Sequence, residues 1–203
     1  MDRKSHWDSI YSAKAPNELA WYQAHPEVSL WQIEASGIGK DEPLIDVGGG
    51  ASLLVASLVE AGFRRVTVLD ISPAAIHTAQ ARLGARADEV RWLTEDITRY
   101  TPTETYKVWH DRAVFHFLTE AAERQAYLRA AEQALIPGGQ MIIATFAPDG
   151  PEKCSGLPVV RYDAQSLAKE AGKNFEPLES CAETHAMPGG GKQSFSYCRF
   201  RRR

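Results

Sequence analysis

The sequence has few cysteines, and they form no pattern that would bind a metal. Three occur in 203 residues: Cys154, Cys181 and Cys198. They are odd in number, lie far apart and include no Cys-x-x-Cys pair, which argues against a zinc ribbon and against a disulfide framework. We therefore expect free thiols, a reducing compartment and no bound metal.

Long apolar runs and a strong net charge are also missing. No apolar run approaches the roughly 18 residues of a membrane-spanning helix, and the opening MDRKSHWDS lacks the apolar core of a signal peptide. The formal net charge of −3 gives no attraction for nucleic acid or an anionic membrane. The basic cluster at 199–203 is typical of a solvated chain end. We expect a cytoplasmic monomer or homodimer with neither nucleic acid nor membrane as partner.

Short apolar runs alternate with helical patterns from Pro43 onward. The predicted strands are 44–47, 65–69, 90–93, 106–110, 141–146, 175–184 and 194–200. Helices between strands indicate βαβ units, whereas the glycine-rich turn at 188–191 joins the last two strands as a hairpin. The predicted fold class is α/β: a doubly wound, mostly parallel seven-stranded sheet with an antiparallel C-terminal hairpin strand and helices on both faces.

The turn after the first predicted strand has the composition of a ligand-binding turn. It reads IDVGGGASLL, and glycine at 48 and 50 lets the backbone approach a ligand closely. Asp70 follows twenty residues after Gly50, at the tip of the second strand, where a carboxylate can accept hydrogen bonds from ribose hydroxyls. A glycine turn that serves only strand–helix packing is the structural alternative.

The residues around this turn favour a cationic ligand over a dinucleotide. A dinucleotide fingerprint needs a small residue where Leu53 stands. Asp46 lies just before the glycines, where a carboxylate would repel a pyrophosphate and attract a cation. A ligand with an amino group, a sulfonium and no phosphate fits both observations, and S-adenosylmethionine has these properties.

Four segments together resemble the motifs of class I S-adenosylmethionine-dependent methyltransferases. They are DVGGG at 46–50, VLDIS at 68–72, EDI at 95–97 and LIPGGQ at 135–140. The resemblance implies that Asp46 and the glycines hold the methionine part, Asp70 the ribose, and Ile71, Asp96 and Ile97 the adenine. The family's usual third glycine is Ser52 here, a small residue that can cap the next helix. The cofactor-binding set predicted in this way is Trp7, Tyr11, Trp21, Asp46, Gly48, Gly49, Gly50, Ser52, Asp70, Ile71, Ser72, Asp96, Ile97 and His110.

The segment before the first strand is predicted to cover this site. We expect residues 1–40 to form a helical cover belonging to the same domain as the methyltransferase unit at 41–203. Trp7, Tyr11 and Trp21 are expected to close over the cofactor, and Trp21 with Tyr22 to line the acceptor pocket. Simple packing of these aromatic side chains is the alternative.

The tip of the fourth strand concentrates groups that could act on a methyl acceptor. His110 or His116 is a candidate general base and Asp111 a candidate orienting group, while Arg112 could bind an acidic substrate. Phe146 at the tip of the fifth strand completes the substrate-binding set, together with Arg161, Trp21 and Tyr22. A structural ion pair of Asp111 with Arg112 and histidines buried in the core are the alternative.

The sequence leaves the acceptor open. A small-molecule acceptor is expected, with a protein side chain second, because the segment from Asp111 loosely resembles that of seven-strand protein-lysine methyltransferases. His116, Arg112, Ala113 and Val114 depart from that pattern. An NAD(P)-dependent reductase and a non-catalytic cofactor-binding protein are the alternatives from other classes.

Overall fold

Seven strands form one sheet and two short strands form a separate ribbon in the computed structural model, which describes residues 2–203. The strands are β1 (Leu44–Val47), β2 (Val66–Asp70), β3 (Val90–Thr94), β4 (Tyr106–Arg112), β5 (Leu135–Phe146), β6 (Lys153–Cys154), β7 (Leu157–Pro158), β8 (Phe175–Ala186) and β9 (Lys192–Arg202). The sheet order is β3-β2-β1-β4-β5-β9-β8, and β6 pairs with β7. Strand β9 runs antiparallel to both of its neighbours, while the other pairs in the sheet are parallel. The predicted fold class is confirmed.

The helices connect the strands as the sequence pattern predicts. They are α1 (Arg3–Ala13), α2 (Glu27–Ala35), α3 (Leu54–Glu60), α4 (Pro73–Leu83), α5 (Ala121–Ala134) and α6 (Ala164–Ala171), with short 3₁₀ helices at Pro16–Glu18, Gly84–Glu89 and Phe115–Phe117. Ser72 caps α4 by accepting the N–H of Ala75 at 3.2 Å, and Pro73 occupies the first helical position. This start places α4 directly behind the tip of β2.

The sheet separates two apolar cores. One core lies under α5 and α6 and includes Trp109 and Tyr127, while the other lies under α2, α3 and α4 and includes Ile33 and Leu58. Burial of both faces explains why β1 and β2 are apolar along nearly their whole length, as expected for central parallel strands. The polar exceptions in these two strands include Asp46 and Asp70, which stand near their carboxyl ends.

The start of β5 differs from the prediction. We expected the strand to begin at Met141 after a turn, but it begins at Leu135, directly after α5. Leu135 pairs with Tyr106 and Gln140 with Val108, so the intervening Pro137-Gly138-Gly139 segment forms an irregularity in the ladder. Proline has no N–H to donate and Gly138 has φ +76, which explains the interruption.

The two N-terminal helices pack against different elements. Helix α1 has no buried residue, and it packs against α4. Helix α2 packs against α3 and β4. Across residues 2–203, every helix is too short or too polar to cross a membrane.

Candidate active site

The glycine turn after β1 leaves no space for side chains. Gly48 has φ +71, and a Cβ added there would lie 2.0 Å from Cγ2 of Val114. At Gly50, an added Cβ would lie 2.4 Å from Oδ2 of Asp70. Real Cβ atoms do not approach other atoms so closely, so both positions require glycine here. The turn therefore brings bare backbone against Val114 on one side and Asp70 on the other.

Asp46 is a buried carboxylate with one satisfied oxygen. Its Oδ1 accepts a hydrogen bond from Nδ1 of His110 at 2.7 Å. Its Oδ2 is buried and has no partner among the described residues. That oxygen faces the glycine turn, because a Cβ on Gly49 would lie 2.3 Å from it. An unsatisfied buried carboxylate oxygen is costly, which makes this atom a binding point for a donor.

Asp70 is the second buried carboxylate, at the tip of β2. Burial raises the pKa of Asp70 to about 7, with further contributions from the negative charges of Asp46 and Asp8, although the N–H of Ser72 opposes the shift. That N–H donates to Oδ1 at 2.8 Å. The raised pKa indicates a site that lacks a positive partner for this carboxylate.

Two adjoining cavities open beside these carboxylates. The larger, which we call the front cavity, has about 810 Å³ with its open mouth included, and the smaller, the glycine-turn cavity, has about 570 Å³. Asp70, Asp96 and Phe146 line the front cavity, and Asp46 and His110 line the glycine-turn cavity. The two cavities share the following lining residues: Tyr11, Trp21, Val47, Gly48 and Arg112. They form one elongated site that bends around Gly48.

Aromatic side chains from the N-terminal segment form one wall of the front cavity. The ring of Trp7 lies 5.0 Å from that of Phe117 and 5.7 Å from that of Trp21, both edge-to-face. Tyr11 stands edge-to-face on Trp21 at 6.1 Å. Such pairs are favourable beyond their burial, so the cluster closes this wall.

Arg112 lies at the boundary between the two cavities and is already paired. It donates to Glu183 Oε2 at 3.1 Å, to Tyr197 OH at 3.0 Å and to the carbonyl of Trp21 at 3.3 Å. Its guanidinium also lies 4.3 Å from the ring centre of Phe195. The Arg112–Glu183 pair is only 10% exposed on each side, so the site carries little net charge at this point.

The structure corrects three sequence-based assignments. Asp111 accepts hydrogen bonds from Tyr127, Val114 and Phe115 in the opposite core, so it orients no histidine. Neighbouring residues of a strand face opposite sides, and this rule separates Asp111 from His110. Burial raises the pKa of Asp111 to about 6.

His116 and Arg161 also lie outside both cavities. His116 is fully buried against Phe117 and Phe146, and burial lowers its pKa to about 3. Arg161 is exposed and bonds to the carbonyl of Gly150 and to Glu152. Neither residue can contact a ligand in these cavities.

The other predicted site residues are placed as follows. Those that line one or both cavities are Trp7, Tyr11, Trp21, Tyr22, Asp46, Gly48, Gly49, Ser52, Asp70, Ile71, Asp96, Ile97, His110, Arg112 and Phe146. Gly50 and Ser72 stand behind the lining, where Gly50 makes room for Asp70 and Ser72 caps α4.

The residues that the sequence did not reveal include Ser29, Cys154, Glu183 and Tyr197. Ser29 and Cys154 line the cavities, and Glu183 and Tyr197 bond to Arg112. No motif marks them. The two-residue period of the last strand, which carries Phe195 and Tyr197 on one face, was the only available signal.

Comparison with known proteins finds similarity to methyltransferases. Residues 45–141 match a family model described as "Methyltransferase domain". Malonyl-[acyl-carrier protein] O-methyltransferase 1 of Ilyobacter polytropus is 26% identical over 135 residues, which cover 66% of this chain and 48% of that protein. The eEF1A lysine and N-terminal methyltransferase of Mus musculus is 24% identical over 139 residues, which cover 68% of this chain and 19% of that protein. The chain thus spans half or less of these relatives.

A solved structure shows the same fold over the full chain. The N-methyltransferase NodS from Bradyrhizobium japonicum, in complex with S-adenosyl-L-homocysteine, aligns with a TM-score of 0.75 and 16% identity over 99% of both chains. The matched family model spans β1 to the centre of β5 and therefore includes the glycine turn, Asp70 and Asp96. The match over just under half of the chain, together with this fold, supports assignment to the class I S-adenosylmethionine-dependent methyltransferase family.

Proposed function

We propose that this protein transfers the methyl group of S-adenosylmethionine to a small-molecule acceptor. The observation that carries the proposal is the arrangement of Asp46 and Asp70 around a glycine turn that admits no Cβ. The unpartnered Oδ2 of Asp46 suits the ammonium group of the cofactor. Asp70 suits its ribose hydroxyls, and Ile71, Asp96 and Ile97 suit the adenine.

The charges of the site agree with this cofactor and disagree with a phosphate ligand. Asp46, Asp70 and Asp96 line the cavities, whereas the two lining arginines are already paired, Arg3 with Glu123 and Arg112 with Glu183. A cationic ligand with hydroxyl groups is attracted by such a site, and a pyrophosphate is repelled. The residues present therefore fit S-adenosylmethionine.

The acceptor is expected in the half of the front cavity that lies away from Asp96. We define the acceptor half by the lining residues that we propose to contact the acceptor: Trp7, Trp21, Arg112, Phe117, Phe146, Cys154 and Phe195. When bound, the cofactor supplies a methyl group already activated by a sulfonium. The task left to these residues is to exclude water and align a nucleophile, which is a large part of catalysis.

The acceptor half, within the part of the chain that the structure describes, exposes neither a carboxylate nor an imidazole. Its thiol is no base, because burial raises the pKa of Cys154 to about 11. A positioned general base contributes about 10²–10⁴-fold where a proton must leave. We therefore propose an uncharged, largely aromatic or apolar acceptor whose nucleophile carries no proton to be removed near neutral pH, such as a ring nitrogen with a free lone pair.

A protein side chain is the second candidate acceptor. It is favoured by the similarity to the murine enzyme named for lysine and N-terminal methylation. A lysine ammonium must lose a proton before it accepts a methyl group, and the acceptor half supplies no residue for that step. The cavity therefore favours the small molecule.

Binding and transfer can be tested in turn. Calorimetry with S-adenosylmethionine, S-adenosylhomocysteine and NADH should show binding of the two sulfur ligands alone. Tight binding of NADH without either of them would overturn the proposal. Incubation with methyl-labelled cofactor and a fractionated extract should then place label in small molecules. Label in protein would favour the second candidate, and cofactor binding without any transfer would indicate a non-catalytic protein.

A further inference from the structure

A buried chain of hydrogen bonds connects Asp46 in the glycine-turn cavity to Arg112 at the boundary with the front cavity. It begins at Asp46 Oδ1, which accepts a hydrogen bond from Nδ1 of His110 at 2.7 Å. Nε2 of the same ring lies 3.0 Å from Ser29 Oγ, and Ser29 Oγ lies 3.2 Å from Tyr197 OH. The hydroxyl of Tyr197 accepts a hydrogen bond from Nε of Arg112 at 3.0 Å. Helix α2 and strands β1, β4 and β9 thus each contribute one or more members.

The chain fixes Asp46 in one orientation. Both nitrogens of His110 are engaged, so the imidazole cannot rotate without breaking two bonds in a place that excludes water. Its Nδ1–H holds Oδ1 of Asp46, because an ionised carboxylate can only accept. Oδ2 is thereby left free, and it faces the glycine turn.

The position of this hydrogen-bond chain beside a cavity indicates a role beyond core packing. Asp46, Ser29 and His110 all line the glycine-turn cavity, although each is at most 2% exposed. A polar chain that ends in one unsatisfied oxygen beside a cavity is incomplete without a donor from a ligand.

We propose that His110 and Ser29 are positioning residues that hold Asp46 Oδ2 as the acceptor for the ammonium group of the cofactor. The proposal rests on the proposed function, since it concerns the same cofactor. His110 acts through Asp46 and Ser29 acts through His110. Tyr197 contacts both Ser29 and Arg112 through its hydroxyl, and so it links these positioning residues to the border of the acceptor half.

Two substitutions of His110 distinguish the effects of its hydrogen bonds to Asp46 and to Ser29. His110→Asn places an amide N–H near the position of Nδ1 and can keep the bond to Asp46. His110→Gln places its amide near Nε2, so the bond to Ser29 can remain while Asp46 Oδ1 loses its donor. S-Adenosylhomocysteine carries the ammonium group, and 5′-methylthioadenosine has the same nucleoside and sulfur without it. Calorimetry with both ligands on both variants is the test.

We expect His110→Gln to weaken S-adenosylhomocysteine binding by about tenfold or more, the effect of a lost hydrogen bond to a charged group. Its affinity for methylthioadenosine should stay within about twofold of the original, and His110→Asn should restore most of the affinity for S-adenosylhomocysteine. Ser29→Ala should weaken S-adenosylhomocysteine binding by about three- to tenfold. Ser36→Ala is its matched control, because Ser36 lies at the end of the same helix and bonds within it.

Equal losses for the two ligands in His110→Gln, or equal effects of Asn and Gln, would overturn the proposal and assign His110 to the core alone. The unsubstituted protein tests the proposed function separately. If it bound neither ligand, the cofactor assignment itself would fail.

Discussion

Ser72 donates a hydrogen bond from its hydroxyl to Oδ1 of Asp8 at 2.6 Å. This contact fastens α1, which has no buried residue of its own, to the first turn of α4. Arg3 adds a second attachment through its ion pair with Glu123 at 2.7 Å. Helix α1 carries Trp7 and Tyr11, so these two polar contacts hold the aromatic wall of the front cavity in place.

Removal of the Asp8 contact should release α1. We expect Asp8→Ala to increase the rate of proteolytic cleavage within residues 2–13 and to weaken S-adenosylhomocysteine binding, because a hydrogen bond to a carboxylate is worth about 1.5–3 kcal/mol. Limited proteolysis with mass spectrometry and calorimetry measure the two effects. Asp8→Asn keeps an acceptor oxygen and serves as the control. Unchanged cleavage in the Ala variant would show that packing alone holds the helix.

Gly48 should tolerate no side chain. In Gly48→Ala the new Cβ would meet Val114 and the residue would keep φ +71, which costs about 1–2 kcal/mol in strain alone. We expect lower stability in urea denaturation and loss of measurable S-adenosylhomocysteine binding. Gly62→Ala is a matched control, because Gly62 has φ +87 with nothing within 4 Å of the added Cβ. It should lose stability but bind normally, and equal binding by both variants would contradict the steric argument.

Cofactor affinity should rise with pH through the titration of Asp70. Only its ionised form can accept hydrogen bonds from both ribose hydroxyls, and burial raises its pKa to about 7 in the free protein. Binding therefore releases a proton below that pH, so affinity for S-adenosylhomocysteine should increase by up to about tenfold from pH 6 to pH 8. Calorimetry in buffers of different ionisation enthalpy counts the proton. Asp70→Asn should bind more weakly and without this pH dependence; the same pH profile in that variant would assign the proton to another group.

Glu183 should stabilise the fold through Arg112. Removing one partner of a buried ion pair costs about 3–5 kcal/mol because the other charge remains buried. Glu183→Ala should therefore lower the free energy of unfolding by about this amount. The double variant Arg112→Met/Glu183→Leu should recover much of the loss, since apolar pairs replace buried ion pairs well. Urea denaturation measures both. A single variant as stable as the original would show that water reaches the guanidinium.

Local patterns were sufficient to predict the positions of the glycine turn, of Asp70 and of the cap of α4. The turn after β1, the acid at the tip of β2 and the cap of α4 each depend on a few neighbouring residues, and all three lie where the sequence indicates. The alternation of strands and helices likewise predicted the sheet. The assignment of Asp111 failed although a local rule was available, because adjacent strand residues face opposite sides.

Contacts between residues far apart in the sequence were beyond such rules. Ser29 and Tyr197 are 168 positions apart, and Arg112 and Glu183 are 71 apart. Their meeting depends on the insertion of β9 between β5 and β8, which is a property of the assembled sheet. The glycine-rich turn predicts the pairing of β8 with β9, but a single sequence carries no signal that β9 pairs with β5.

The position of β9 near the end of the sequence means that part of the site is synthesised last. Its antiparallel pairing brings Phe195 and Tyr197 to the site, and its hairpin partner β8 brings Glu183. Until β8 and β9 have been synthesised, Arg112 lacks its partner Glu183 and the front cavity lacks the side chain of Phe195. Asp70, Ile71, Asp96 and Ile97, which we propose to contact the nucleoside, come much earlier in the chain and are therefore synthesised before Glu183 and Phe195.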